Sequence, residues 1–176
     1  MFDVVVLAEG DAVSAARTLS TLVEGVVQGH LRRLVLASPD EHEDLAALAD
    51  EAGCRLEAGV PLGALWPRLA AHISTPHVLV IAAGTLLAPG WTNLLRTDGL
   101  RQGALHLNQS VFFMPEERLA RLKLRAALAL RRPVPVRRGA IVPIGSLVRG
   151  ALDGTHVRLR GQEGHSARMA RVVVGR

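Results

Sequence analysis

The chain has 176 residues, of which 49% are hydrophobic and 21% charged, the size and apolar content of one compact domain with a real core, and this excludes a disordered chain. One cysteine, Cys54, excludes a disulfide framework and a cysteine zinc cluster. The net charge of +5 hides a split: residues 1–100 carry 6 Lys+Arg against 12 Asp+Glu, a balance of −6, and residues 101–176 carry 15 against 4, a balance of +11, which points to two functional surfaces or to an anionic partner for the second part.

Phe2-Asp3-Val4-Val5-Val6-Leu7-Ala8 is a short β-branched run that reads as a buried parallel strand. Glu9-Gly10-Asp11 is a turn with Asp11 as the predicted N-cap. Apolar residues from Val13 to Val27 then recur at helical spacing, and Gly29-His30 closes that helix. Leu34-Val35-Leu36-Ala37 predicts a second strand, Glu41 to Ala52 an acidic amphipathic helix stopped by Gly53, and residues 54–58 a short third strand. Pro61 to Ser74 predicts a helix with Leu65, Trp66, Leu69 and Ile73 on its apolar face, and His77 to Ala83 a fourth strand. This β-α-β-α-β-α-β alternation implies a parallel sheet with helices on both faces.

The pattern then changes. Pro89-Gly90-Trp91 opens a short helix through Leu95, and residues 103–107 and 110–114 read as two strands joined by Asn108-Gln109. Residues 116–132 predict a basic amphipathic helix with Arg118, Arg121 and Arg125 exposed. Residues 131–145 read as irregular, 146–152 as a turn of helix, 156–160 as an edge strand and 162–174 as a final helix. No repeat or linker divides the chain, so residues 1–176 are expected to form one domain with a parallel first half and a mixed second half.

Few motifs carry chemistry. No G-x-G-x-x-G, P-loop or G-x-S-x-G pattern occurs. The seven histidines form no H-E-x-x-H or H-x-x-x-H pair, so a metal site is not expected from them. Cys54 reads as structural. At the carboxyl ends of the predicted strands, where open parallel sheets bind ligands, the polar groups are Glu9, Asp11, Ser38 and Asp40. Asp11 and Asp40 each precede a helix and read first as caps. For the basic helix a solvated face is the plain reading. The functional ones are an acidic protein partner or an anionic membrane surface. Nucleic acid is disfavoured by an aromatic content of 3% without tyrosine. Of 21 basic residues only Lys123 is lysine, the bias of a GC-rich bacterial genome, so arginine choice alone is not read as phosphate recognition. No apolar run is long enough to span a bilayer, and the opening residues lack a secretory pattern. The expectation is a cytoplasmic protein, free or peripheral to the inner face of the membrane. The sequence leaves a homo-oligomer open.

Four segments carry a family resemblance: Val4-Val5-Val6-Leu7-Ala8; the helix Ala12–Gly29 with Leu19-Ser20-Thr21-Leu22 and Gln28; Leu34-Val35-Leu36-Ala37-Ser38-Pro39-Asp40; and, most specific, strand His77–Ala83 followed by Leu86-Leu87-Ala88-Pro89-Gly90-Trp91. Over residues 2–96 the chain resembles the family-two glycosyltransferases. The resemblance implies an α/β, GT-A-like three-layer sandwich with a mostly parallel central sheet. It also implies a nucleotide-sugar donor held by the first half (residues 1–100), and a basic acceptor-side half (residues 101–176). On this resemblance Glu9, Asp11, Ser38 and Asp40 would line the nucleotide, and Arg131, Arg132, Arg137 and Arg138 would face the diphosphate or an acidic partner. The family's Asp-x-Asp, which holds a divalent metal, is replaced here by Ala82, Ala83 and Gly84, so no metal or other cofactor is expected. The family's later base and Q-x-x-R-W segments are also absent. The reading that follows is a non-catalytic relative acting as an interaction or regulatory module; the alternative is an active, metal-independent glycosyltransferase.

Overall fold

The computed structural model describes residues 1–87, 89–93, 111–113, 134–135, 140–144, 151–152, 157–160 and 169–174. Its first half alternates as the sequence predicts: β1 (Phe2–Leu7), α1 (Ala12–Val27), β2 (Leu31–Ala37), α2 (Glu43–Glu51), β3 (Arg55–Glu57), α3 (Leu62–His72) and β4 (His77–Ala82). The strands β5 (Val111–Phe113), β6 (Val134–Pro135), β7 (Ala140–Pro143), β8 (Ala151–Leu152), β9 (Val157–Arg160) and β10 (Met169–Val174) follow. Eight strands form one sheet in the order β3-β2-β1-β4-β7-β5-β10-β9, and β6 and β8 pair separately. β3, β2, β1 and β4 are mutually parallel, and the sheet continues beyond β4 with antiparallel pairings.

The parallel strands form because Val4, Val5, Val6, Val78, Leu79, Val80 and Ile81 are almost entirely buried, and β-branched side chains suit a sheet covered on both faces. Val4, Val6 and Leu36 join Ala15 and Leu22 of α1 and Leu45 and Ala49 of α2 in one core cluster. The right-handed crossover rule places α3 on the opposite face: the chain moves one way from β1 to β3 and back again to β4. Leu65, Trp66 and Leu69 of α3 and Ile73, its C-cap, are buried.

Three readings of the second half are corrected. The segment 162–174, expected to be helical, contributes strand β10 over Met169–Val174. The Pro/Arg/Gly-rich stretch 131–145, expected to be irregular, holds β6 and β7, and β7 lies against β4 with Leu79 opposite Ile141. The helical turn expected at 146–152 ends instead in strand β8. The edge strand expected at 156–160 is β9, at the end of the sheet order. The hairpin strand at 103–107 and the basic helix 116–132 lie outside the described residues.

Two buried carboxylates fasten α3 and its exit to the sheet. Asp3 is fully buried on β1. Its Oδ2 accepts hydrogen bonds from Ser74 N (2.6 Å), Ser74 Oγ (3.2 Å) and Thr75 N (3.2 Å), and its own N–H donates to Thr75 Oγ1 at 2.9 Å. Thr75 Oγ1 in turn donates to the His77 carbonyl at 2.7 Å, which sets the start of β4. Glu57 is 2% exposed, and its oxygens lie 2.7 Å from Arg55 Nε, 3.0 Å from Arg68 Nη2 and 3.1 Å from His72 Nε2. Burial pushes its carboxyl up, but the Arg55 hydrogen bond and the charges of Arg55, Arg68 and His72 outweigh it and hold the group below the usual glutamate range.

Asp3→Ala leaves buried N–H donors without an acceptor, and urea unfolding should show a loss of about 2–4 kcal/mol. Glu57 titrates lower in the folded than in the unfolded chain. Its stabilisation is therefore complete above the unfolded value of about 4.3 and is lost as pH falls through the lower folded value. Glu57→Gln should destabilise the protein at neutral pH and flatten that acid limb, as urea midpoints measured across the acid range will show.

Candidate functional site

The strand order reverses between β1 and β4, because the chain leaves β1 toward β2 and returns from β3 to lie on β1's other side. In open α/β sheets this reversal, at the carboxyl ends of the strands, is where a crevice opens. Four loops meet along that edge: Glu9-Gly10-Asp11 after β1, Ser38 to His42 after β2, Ala58-Gly59 after β3 and Ala83-Gly84-Thr85 after β4.

Close backbone approach sets their spacing. Gly10 has φ +84°, and a Cβ there would sit 2.8 Å from His42 Nε2, so the His42 imidazole rests against the Gly10 backbone. Gly59 has φ +72°, and a Cβ there would sit 2.7 Å from Glu41 Oε1. The β2 loop thus lays His42 on the β1 loop and Glu41 on the β3 loop. The β4 loop is tied down by Ala83 N–H to the Leu7 carbonyl (2.8 Å) and Gly84 N–H to the Ser14 carbonyl (3.1 Å). Farther along, Trp91 Nε1 donates to the Thr21 carbonyl at 3.1 Å, and the indole covers Gly25 of α1 so closely that a Cβ would meet it at 2.7 Å. Glu24 accepts from Thr92 Oγ1 and from Gly90 N–H. Those two bonds, the Thr92 hydroxyl first, hold its carboxyl below the usual range. The Pro89-Gly90-Trp91 segment is therefore a clamp on α1.

Of the residues expected at the nucleotide, Glu9 and Asp40 are exposed on neighbouring loops. Asp11 caps α1 as predicted: its carboxylate accepts from Ser14 N at 3.1 Å and from Ser14 Oγ. These bonds, the hydroxyl's first, hold Asp11 below the ordinary aspartate range. Asp40 does not cap α2. His42 occupies that position without a side-chain bond, because the chain makes two more residues of turn before the helix starts. Ser38 is fully buried. Its N–H donates to the Glu57 carbonyl at 2.9 Å and its Oγ accepts from Asp40 N at 3.3 Å, so it shapes the loop. Arg131, Arg132, Arg137 and Arg138 lie outside the described residues. Sequence reasoning missed His42 and Glu41. The available signal was the glycine in each neighbouring loop.

No protein-family model and no curated protein matches the chain. Solved structures do. Glucosyl-3-phosphoglycerate synthase from Mycobacterium tuberculosis, in complex with Mn2+, UDP and glucosyl-3-phosphoglycerate, superposes with a TM-score of 0.55 at 21% identity over 82% of this chain and 57% of that one. The same enzyme with Mn2+ and UDP-glucose gives 0.57 at 20% identity, over 82% and 56%. A mannosyltransferase from Pyrobaculum calidifontis with GDP-mannose and Mn2+ gives 0.60 at 16% identity, over 84% and 46%.

This is a GT-A fold. The chain spans about half the length of the GT-A structures it matches. One expectation is overturned. The carboxylate-free run Ala82-Ala83-Gly84 implied that no divalent metal takes part, yet these GT-A structures hold Mn2+ with their nucleotides. The physical reason is that a small hard cation takes many of its oxygens from phosphates and water and needs only one or two carboxylates, so one strand end without Asp does not decide the matter. Among the described residues no three His, Cys, Asp or Glu side chains gather into a cation site. The described residues therefore do not by themselves fit such an ion.

Gly10→Ala forces an L-residue into left-handed backbone and should cost about 1–2 kcal/mol. Adding His42→Ala should recover only the part due to the imidazole contact, which a double-mutant cycle in urea measures.

Proposed function

We propose that this chain is a nucleotide-sugar-binding GT-A unit of a glycosyltransferase, with the donor's nucleotide held at the carboxyl edge of β1 and β2. The observation that carries this reading is the convergence of the Glu9-Gly10-Asp11 and Ser38–His42 loops at the carboxyl edge, beside the strand-order reversal between β1 and β4, with His42 seated on Gly10. Exposed Glu9 and Asp40 accept hydrogen bonds from a base N–H or ribose hydroxyls. Asp11 is occupied as a cap and contributes field and not direct contact. The neighbours' donors, UDP-glucose and GDP-mannose, define the substrate class to test.

This edge is acidic. Glu9, Asp11, Asp40 and Glu41 are all exposed carboxylates on adjoining loops, and a diphosphate brought there meets repulsion unless a counter-charge comes with it. In this reading residues 1–100 serve the donor and the basic segment 101–176 the acceptor.

A thermal-shift experiment tests it. With Mn2+ present, UDP-glucose or GDP-mannose at about a hundred times Kd stabilises the native state by ~2.7 kcal/mol, a rise in Tm of roughly 5–10 °C for a chain of this size. Glu9→Ala and Asp40→Ala, both exposed positions, should reduce the shift without lowering the ligand-free Tm. No shift with either nucleotide sugar overturns the proposal.

A further inference from the structure

A second concavity lies at the opposite end of the sheet from the nucleotide edge. Parallel strands and their helices run in opposite directions, so the carboxyl ends of α1 and α2 lie beside the amino ends of β2 and β3. Between them is a groove of about 870 Å³, within the usual range of small-molecule pockets. Its apolar wall is Leu19, Val23 and Val26 of α1, Leu34 of β2 and Leu48 of α2, with Cys54 beside them. Val23 and Val26 are each 56% exposed and Val27 is 80% exposed, so this stretch of α1 presents to solvent the valines that a surface helix normally turns inward.

The mouth has the opposite character. Arg32, Arg33 and Arg55 border it, with His72 next to them. Arg33 Nη1 reaches the His72 carbonyl at 3.2 Å, and Arg55 Nε is engaged by Glu57. Those single contacts leave further guanidinium N–H groups, since each guanidinium carries five. Glu51 is the only carboxylate among the lining residues, so the arginines outnumber it. The helix carbonyls at this end are answered by backbone N–H groups: Gln28 on Glu24, His30 on Gly25, Ala52 on Leu48 and Cys54 on Ala49. They do not offset the cationic rim.

We infer that this groove binds a single-chain amphiphile, with its hydrocarbon along Leu19, Val23, Val26, Leu34 and Leu48 and its anionic head on Arg32 and Arg33. A concave apolar wall with a localised cationic mouth complements a molecule of that polarity. A flat basic face would suit a membrane instead. The inference is independent of the nucleotide edge, which lies at the other end of the strands.

Cys54, the sole thiol of the chain, lines the groove and reports on it. Burial pushes its thiol above the usual range, so alkylation is slow and sensitive to cover. Iodoacetamide labelling of the full chain is followed by intact mass, with dodecyl phosphate held below its micellar concentration. Protection of Cys54 by dodecyl phosphate, and none by dodecyltrimethylammonium, is expected. Val23→Asp/Val26→Asp, at exposed positions, should abolish protection, and Arg32→Ala should weaken it by roughly tenfold. Neither should change the nucleotide-sugar Tm shift of the wild-type chain. The inference is overturned if dodecyl phosphate gives no protection, if the cationic amphiphile protects equally, if only anionic vesicles protect, or if both variants keep full protection with an unchanged Tm.

Discussion

The handedness of the crossover connection is the constraint on which the arrangement depends. A parallel strand followed by a helix returns to the sheet on one side only. The chain goes outward from β1 to β2 and β3, with α1 and α2 on one face. It can then reach the free side of β1 only by carrying α3 across the other face. That single reversal places the loops after β1 and β4 side by side with no helix between them. The crevice is therefore a consequence of connection geometry, and the residues around it need only keep it open. Beside it, Gly10 and Gly59 let side chains of the β2 loop lie against backbone, where a Cβ would displace them.

The reversal needs anchoring, because α3 must be held on a face the chain has only just reached. Asp3 and Glu57 do this from the two ends of the crossover. Asp3 receives the backbone of Ser74 and Thr75 as the chain leaves α3. Glu57 gathers Arg55 of its own strand with Arg68 and His72 of the helix. Buried carboxylates are tolerated when hydrogen bonds or countercharges are supplied: Asp3 Oδ2 has the Ser74 and Thr75 donors, and Glu57 has the charges of Arg55 and Arg68. The carboxylates of the carboxyl edge, Glu9 and Asp40, are by contrast exposed.

The first half of the fold was legible because its signals are local. Buried β-branched runs alternate with residues at helical spacing, and Asp11 caps α1 through a residue three positions away. The second half depended on distant partners. Ala140-Ile141-Val142-Pro143 sits in a Pro- and Arg-rich stretch, and pairing with β4, some sixty residues earlier, and with β5 makes it a strand. At Met169–Val174 the β-branched run Val172-Val173-Val174 competes with the helical spacing of 162–174 and favours the strand that forms. The site divided the same way. Glu9 and Asp40 follow from strand ends, but the contact of His42 on Gly10 joins residues 32 positions apart, and no local pattern announces it.

The charge asymmetry of the chain takes on a different meaning in the fold. The acidic excess of the first hundred residues is not confined to the face of α2. Glu9, Asp11, Asp40 and Glu41 bring part of it to the carboxyl edge, while Arg32, Arg33, Arg55 and Arg68 lie toward the other end of the same strands or on α3. The parallel half is thus polarised along its strands, acidic where nucleotides are expected and basic where they are not. An acidic edge recognises the hydrogen-bond donors of a base and ribose well and repels a diphosphate, so selectivity for a nucleotide sugar over a bare nucleoside must come from charge brought to that edge. Solved structures that share this fold hold Mn2+ together with their nucleotides. Among the described residues no three His, Cys, Asp or Glu side chains gather into a cation site, so the acidity of that edge is spread over its exposed loops and not focused at one point.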